Sequence, residues 1–171
     1  EEVEFELALR IPGWCRKAAL QVNGKNIDLT KIIEDGYAKL KRNWQNDRVK
    51  LILKMPVEKI YANPEVREDI DKVALQRGPI VYAFEEVDNG KNLPALYLTD
   101  DAELKAEFKE DLLGGVTVVK GSALKLNRES FGQELYSTQK AEFKKVDIQA
   151  VPYYAWDNRE SGEMLVWLNQ K

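Results

Sequence analysis

Alternation of apolar and polar residues, the pattern of a half-buried β-strand, recurs along most of this chain. In the first run, Val3, Phe5, Leu7 and Leu9 alternate with charged or small residues. Comparable runs predict strands near residues 20–22, 37–42, 48–55, 73–75, 80–84, 96–98, 140–146, 148–151 and 164–168. Short strands at fairly regular spacing indicate an all-β chain.

Turn-forming residues separate several of these runs. Asn23-Gly24 predicts a two-residue hairpin, because both residue types tolerate a positive φ. Residues 76–79, with Gly78 at their centre, predict a tight turn between two strands. Residues 120–122 predict a further hairpin between strands at 116–119 and 123–126.

One segment has helical rather than strand spacing. Leu104, Phe108 and Leu112 recur every four residues, which predicts a helix over 101–113. Gly114-Gly115 follows as a stop signal. This is the one helix that the pattern predicts.

About ten short strands and almost no helix predict an antiparallel β-sandwich, as one or two packed jelly-roll-like sandwiches with at most one short helix. A charge-rich connector at 61–72 marks the predicted break. We therefore expect a first sandwich portion at 1–62 and a second at 63–171, with one continuous unit as the alternative.

Composition limits the partners. The chain has 171 residues, 44% hydrophobic and 32% charged, with a net charge of −3. That charge does not suggest nucleic-acid binding, and no stretch is apolar enough for a membrane span. The chain starts with Glu1 and lacks a signal-peptide pattern, so we expect a piece of a longer protein whose compartment the sequence does not indicate.

The residue inventory also limits the chemistry. The absence of histidine excludes Ser-His and Cys-His catalysis and histidine-ligated metals, and the single Cys15 cannot form a thiolate cluster. Glu85-Glu86 and Asp100-Asp101 are adjacent pairs whose side chains point to opposite faces of a strand. We interpret them as solvated surface carboxylates, and predict no catalytic residue, metal site or cofactor here.

An aromatic stretch near the end is the best candidate site. Rings that stack on sugars, beside side chains that bind hydroxyl groups, are typical of carbohydrate recognition. The predicted carbohydrate-binding residues are Tyr153, Tyr154, Trp156, Asp157, Asn158 and Arg159. The alternative is that these rings fill a core or a domain interface.

Several sequence strings together resemble glycoside hydrolase family 127, the β-L-arabinofuranosidase family. They include Leu-Arg-Ile-Pro-Gly-Trp-Cys at 9–15, Val-Asn-Gly at 22–24, Gly-Tyr at 36–37, Arg-Asn-Trp at 42–44, Asp-Arg-Val at 47–49, the strings at 73–82 and 148–159, and Met-Leu-Val-Trp at 164–167. They occur in the family's order. Residues 89–145 resemble the family less clearly.

The resemblance implies a large α/α barrel that carries catalysis, with a zinc-cysteine site, upstream of β-sandwich domains. Cys15 lies in the sandwich motif, so no catalytic or zinc position carries over. We therefore expect a non-catalytic C-terminal region of a glycoside hydrolase, inactive alone, whose partner is its own barrel domain. A glycan and a second copy of the chain are further candidate partners. The alternatives are a carbohydrate-binding module with an aromatic platform and a protein-interaction module.

Overall fold

A computed structural model describes residues 2–171 of the chain. It divides into two compact units, residues 1–55 and 56–171. Residues 57–61 form a strand of the second unit, whereas the sequence-based portions are 1–62 and 63–171.

The first unit consists of two three-stranded antiparallel sheets. Its strands are β1 (Val3–Arg10), β2 (Ala18–Val22), β3 (Lys25–Ile27), β4 (Ile33–Glu34), β5 (Tyr37–Trp44) and β6 (Val49–Leu53), with a 3-10 turn at Leu29–Lys31. One sheet has the order β1-β5-β4 and the other β3-β2-β6. Asn23 and Gly24 join β2 to β3 with φ values of 50° and 77°, which confirms the predicted hairpin.

Both sheets of the first unit bury apolar side chains. Leu20 and Val22 are buried on one sheet, and Ala38 and Trp44 on the other. The Trp44 indole nitrogen donates a hydrogen bond to the Phe5 carbonyl oxygen at 3.0 Å, and the two rings stack with centroids 5.5 Å apart. Strand β1 pairs with β5 from Val3 opposite Trp44 at one end to Arg10 opposite Tyr37 at the other. The contacts between Phe5 and Trp44 lie near the first of these ends.

The second unit is built from nine strands and one short helix. The strands are β7 (Val57–Tyr61), β8 (Lys72–Arg77), β9 (Ile80–Glu85), β10 (Leu96–Leu98), β11 (Lys105–Lys109), β12 (Val116–Leu126), β13 (Phe143–Pro152), β14 (Met164–Leu165) and β15 (Leu168–Gln170). The helix is α1 (Glu86–Asn89), and 3-10 turns occur at Arg67–Asp69, Leu93–Ala95, Arg128–Phe131 and Tyr153–Ala155.

Six of these strands form a closed barrel, so the prediction of an antiparallel sandwich is wrong. The order β9-β13-β12-β10-β15-β8 returns to β9 through the β8–β9 hairpin. The closing strand β15 lies between β10, with which it pairs in parallel, and β8, with which it pairs antiparallel. Closure satisfies the strand edges that an open sheet would expose. The chain is nonetheless mostly β with one short helix, as the pattern indicated.

Apolar side chains fill the barrel. The buried cluster comprises Val73, Leu75, Tyr82, Phe84, Leu93, Leu96, Leu98, Val119, Ala123, Ile148, Ala150 and Leu168. Alternate residues of β12 and β13 face the other way, where a second cluster of Val116, Val118, Val151 and Ala155 is buried. The second cluster carries the aromatic stretch.

Two local predictions are wrong. Residues 105–109 form the edge strand β11 rather than a helix, and Phe108 is 64% exposed. Residues 116–126 form one continuous strand rather than a hairpin. Gly121 lies in this strand because the chain at Glu103 and Leu104 passes directly over it: an added Cβ would lie 2.7 Å from the Glu103 carbonyl oxygen.

Candidate functional site

The predicted carbohydrate-binding residues lie directly after β13. Tyr153 and Tyr154 belong to a 3-10 turn, and the remaining four residues follow it on the way to β14. Tyr153 is 45% exposed and Tyr154 is 69% exposed. The structure therefore brings the aromatic stretch to the surface of the second unit.

The rings do not form a flat platform. The centroids of Tyr153 and Trp156 lie 6.1 Å apart with their planes tilted by 43°. Trp156 is half-buried and packs against the second apolar cluster, which includes Val151 and Ala155. This arrangement matches the interface or core alternative for Trp156, and carbohydrate binding by the six residues stays a prediction.

Arg159 is held inside the unit by two carboxylates. Its guanidinium donates two hydrogen bonds to Asp88, at 3.0 and 2.6 Å, and another to Glu85. All three side chains are largely buried. Hydrogen bonding to Asp88, and to a lesser extent to Glu85, raises the pKa of Arg159 above its ordinary value. Such a pairing compensates the cost of burying the charges.

Backbone and amide groups add further hydrogen bonds to this cluster. The Asp157 N–H donates to Glu85 at 3.1 Å, and the Gln149 side-chain amide donates to Asp88 at 2.8 Å. The Asn158 amide donates to the carbonyl oxygens of Ala155 and Trp156. The polar residues of the stretch thus bind their own fold.

The role of Glu85 and Asp88 as partners of Arg159 was not predicted from the sequence. Glu85 is 5% exposed, so its interpretation as a solvated surface carboxylate is wrong. It continues the apolar strand β9, which is a weak signal for burial, but its partner Arg159 lies 74 residues away. No local pattern links two residues at that separation.

A second polar feature lies at the β8–β9 hairpin, where Arg77 ends β8 and Tyr82 is buried in β9. The buried Tyr82 hydroxyl donates to the Thr117 carbonyl oxygen at 3.0 Å. Burial raises the pKa of Tyr82, while the charge of Arg77 opposes that shift and Tyr154 adds to it. The Nε atoms of Arg77 and Arg159 are both buried and have no hydrogen-bond partner. A depression of about 470 Å³, lined in part by Leu113 and Asn158, adjoins Tyr154.

A wider groove of about 630 Å³ follows β12 and β13 and has a mixed charge. Its lysines and carboxylates offset one another: Glu107 pairs with Lys109 and Lys120. Hydrogen bonds to Lys109 and then Lys120 lower the pKa of Glu107. The groove therefore presents no concentrated charge of either sign.

No metal centre is present in residues 2–171: these contain no group of three histidine, cysteine or carboxylate residues placed to hold an ion. The Cys15 thiol lies 3.9 Å from the Lys54 carbonyl oxygen, within the first unit. The residues described here therefore do not fit a zinc-cysteine site. Across the same residues, no helix has the length and apolar character needed to cross a membrane.

The fold is that of a β-rich protein with two units. The buried charged side chains of its second unit pair with one another. Comparison with known families places the chain more closely. Residues 57–169 match the glycoside hydrolase family 127 C-terminal domain, and residues 1–55 match the β-L-arabinofuranosidase GH127 middle domain. The chain belongs to glycoside hydrolase family 127, which confirms the resemblance.

Individual relatives agree with this assignment. A non-reducing end β-L-arabinofuranosidase of Bifidobacterium longum is 39% identical over 93% of this chain and 25% of its own length. A GH127 β-L-arabinofuranosidase from Geobacillus stearothermophilus T6 is 52% identical, with a TM-score of 0.96 over 99% of this chain and 27% of its own. A GH127 β-arabinofuranosidase is 31% identical, with a TM-score of 0.87 over 100% of this chain and 28% of its own. The chain thus spans about a quarter of these relatives' length and corresponds to a non-catalytic, accessory region.

Proposed function

We propose that this chain supports the catalytic domain of a glycoside hydrolase that releases β-L-arabinofuranose from glycans. The observation that carries the proposal is that two non-catalytic domains of the family together match almost the whole chain. The family's middle and C-terminal domains account for residues 1–55 and 57–169, which is nearly the whole chain. The β-L-arabinofuranosidases that it resembles are about four times as long.

The supporting role consists of covering and orienting the preceding domain. For that domain we propose the α/α barrel with a zinc-cysteine site that the family resemblance implies, so that the metal belongs to the barrel and not to this chain. The internal bonding of Arg159, Glu85 and Asp88 supports a structural role, because residues that act on a substrate need groups free to reach it.

Activity measurements on two proteins test this proposal. We expect the longer polypeptide that carries this chain to hydrolyse p-nitrophenyl β-L-arabinofuranoside, and this chain alone, shown to be folded by circular dichroism, to give no hydrolysis above the buffer rate. Hydrolysis by this chain alone would refute the accessory role. Lack of hydrolysis by the longer polypeptide would refute the proposed substrate.

A glycan titration tests the predicted carbohydrate-binding residues separately. The probe is arabinan or a short arabino-oligosaccharide, followed by tryptophan fluorescence. Tyr154→Ala is the informative variant because its ring is largely exposed, and Tyr136→Ala, in another exposed loop, is the matched control. We expect no saturable change for the chain. Saturable binding that only Tyr154→Ala abolishes would support a sugar site instead.

A further inference from the structure

Strand β1 lies at an open edge of its sheet. The sheet has the order β1-β5-β4, so β1 pairs with β5 on one side only. Within residues 2–171, no other strand or turn forms backbone hydrogen bonds with the opposite side of β1. The strand is eight residues long and pairs without interruption. It therefore lacks the short length, the proline and the bulge that commonly protect a sheet edge from further pairing.

The hydrogen bonds at the end of β1 show which of its backbone groups face the open edge. The Ile11 N–H donates to the Gly36 carbonyl oxygen at 2.7 Å, directly after the last pair of the β1–β5 ladder. In an antiparallel ladder every second residue is bonded in this way, and the residues between them point their backbone groups outward. The Lys39 N–H, which donates to Ile32 on the β4 side, agrees with this alternation. The N–H groups that face away from β5, which we call the outward amides, are therefore those of Glu4, Glu6, Ala8 and Arg10.

The side chains of β1 are also incompletely covered. Its apolar face carries Val3, which is 56% exposed, and Phe5, which is 47% exposed. Its other face carries Glu4 and Glu6, and Glu4 lies 3.9 Å from Lys41 of β5. A strand added to this edge would place alternate apolar residues beside the apolar face and basic or neutral residues beside the two glutamates.

The unit to which β1 belongs has a small core. Among residues 2–55, the buried apolar side chains are those of Leu20, Val22, Ala38 and Trp44. A unit of this size buries a smaller share of its surface than a larger domain does, so an added strand increases its buried share. About three quarters of the length of the related β-L-arabinofuranosidases lies outside the region that this chain matches. The longer polypeptide therefore has enough chain to supply such a strand.

We infer that β1 pairs with an extended segment of the longer polypeptide, the stretch directly before it, as one more antiparallel strand of its sheet. Consecutive strands pair more often than distant ones, and an antiparallel pair needs only a short turn. The inference rests on the proposed function, which places this chain in a longer polypeptide, and adds to it the form of the contact. Main-chain hydrogen bonds supply the attachment, and the alternating side chains fix the register.

Amide hydrogen exchange tests the inference. It is measured on the longer polypeptide and on this chain alone, and is resolved to single residues by mass spectrometry. We expect the outward amides to exchange at least roughly tenfold more slowly in the longer polypeptide. The amides of Phe5, Leu7 and Leu9 face β5 in both proteins and are the internal control, so their exchange should change less. This comparison uses unmodified sequences and does not depend on the folding of a variant.

Two variants at one exposed position distinguish strand pairing from simple coverage. Ala8→Pro removes an outward N–H and leaves the hydrogen bonds to β5 in place, whereas Ala8→Val retains the N–H. In the longer polypeptide, we expect Ala8→Pro to return the amides of Glu6 and Arg10 to the fast exchange of this chain alone. We expect Ala8→Val to keep them slow. Circular dichroism checks that both variants fold.

The contrary outcomes separate this inference from the proposed function. Equal exchange of the outward amides in the two proteins would overturn the inference, while hydrolysis by the longer polypeptide would still support the proposed function. Slowing without alternation, or full slowing in Ala8→Pro, would mean that the edge is covered but not paired, which also overturns it. Slow outward amides in this chain alone that become fast on dilution would assign the edge to a second copy of the chain. Alternating slowing without hydrolysis would support the strand pairing and refute the proposed substrate.

Discussion

The side chain of Asn89 pairs with the backbone of Gln149 as a neighbouring β-strand would. Its Nδ2 donates to the Gln149 carbonyl oxygen at 2.9 Å, and its Oδ1 accepts from the Gln149 N–H at 3.0 Å. The same Nδ2 also donates to the Glu85 carbonyl oxygen at 2.8 Å. One amide at the end of α1 thus satisfies backbone groups of two strands, β9 and β13.

Replacement of Asn89 by Ala is expected to lower the free energy of unfolding by about 2 kcal/mol, because it leaves partly buried backbone groups unpaired. Urea denaturation measures the loss. Asn26→Ala is the control: the Asn26 side chain is exposed and accepts a hydrogen bond from the exposed Gln21 amide, so its change should stay within about 0.5 kcal/mol. Equal losses in the two variants would contradict the role assigned to Asn89.

Replacement of Arg159 by Met is expected to cost about 3–5 kcal/mol, because Glu85 and Asp88 would remain buried without their counter-charge. Thermal or urea unfolding measures this, with the exposed Arg128→Met as the control. Adding Glu85→Gln and Asp88→Asn to Arg159→Met should restore part of the loss. A single-variant cost below about 1 kcal/mol would show that the cluster is effectively solvated.

Gly121→Ala tests the close crossing on β12. The added Cβ would lie 2.7 Å from the Glu103 carbonyl oxygen and 2.8 Å from Leu104 Cδ2, so backbone must move. We expect a loss of about 1–3 kcal/mol, as for other overpacked sites. Gly13→Ala is the matched control, since nothing lies within 4 Å of its added Cβ. Equal stability of the two variants would mean that residues 103–104 can move away freely.

The stability of the second unit should fall at alkaline pH because of Tyr82. Burial raises its pKa in the folded chain above the value of 10.0 for the free side chain. The folded state then holds the proton more tightly than the unfolded state does, so this contribution is fully present below pH 10 and is lost as the pH rises through the folded pKa. Tyr82→Phe should show a smaller decline between pH 9 and 11.

Urea midpoints across that pH range test the prediction for Tyr82. Tyr136→Phe, 89% exposed in another loop, should decline as the wild type does. Lysine deprotonation affects all three proteins alike, so the test compares how steeply the urea midpoint of each protein declines with pH. A wild type and Tyr82→Phe with parallel declines would contradict the assignment.

Local chemistry accounts for the predictions that succeeded. Asn23 and Gly24 both adopt a positive φ, which these residue types tolerate, so two adjacent residues were enough to predict the β2–β3 hairpin. The segment at 105–109 shows the opposite case, because its residues suit both periods: Phe108 continues a four-residue spacing, while Lys105, Glu107 and Lys109 alternate as in a strand. The segment pairs with β12 as a strand. A sheet edge offers every second residue a backbone partner, whereas a short exposed helix is marginal because its nucleation is costly and its end groups stay unpaired.

The sequence by itself determined the β-rich character, most strands, the turns at 23–24 and 78–79 and the family, because these depend on alternation, on turn residues and on short strings. Only the tertiary structure decided the barrel and the internal clusters. Closure depends on the last strand, Leu168–Gln170, inserting between Leu96–Leu98 and Lys72–Arg77. The ion pair between Glu85 and Arg159 likewise joins residues 74 positions apart. Contacts at such separations are chosen by the packing of the whole unit, and no local pattern encodes them.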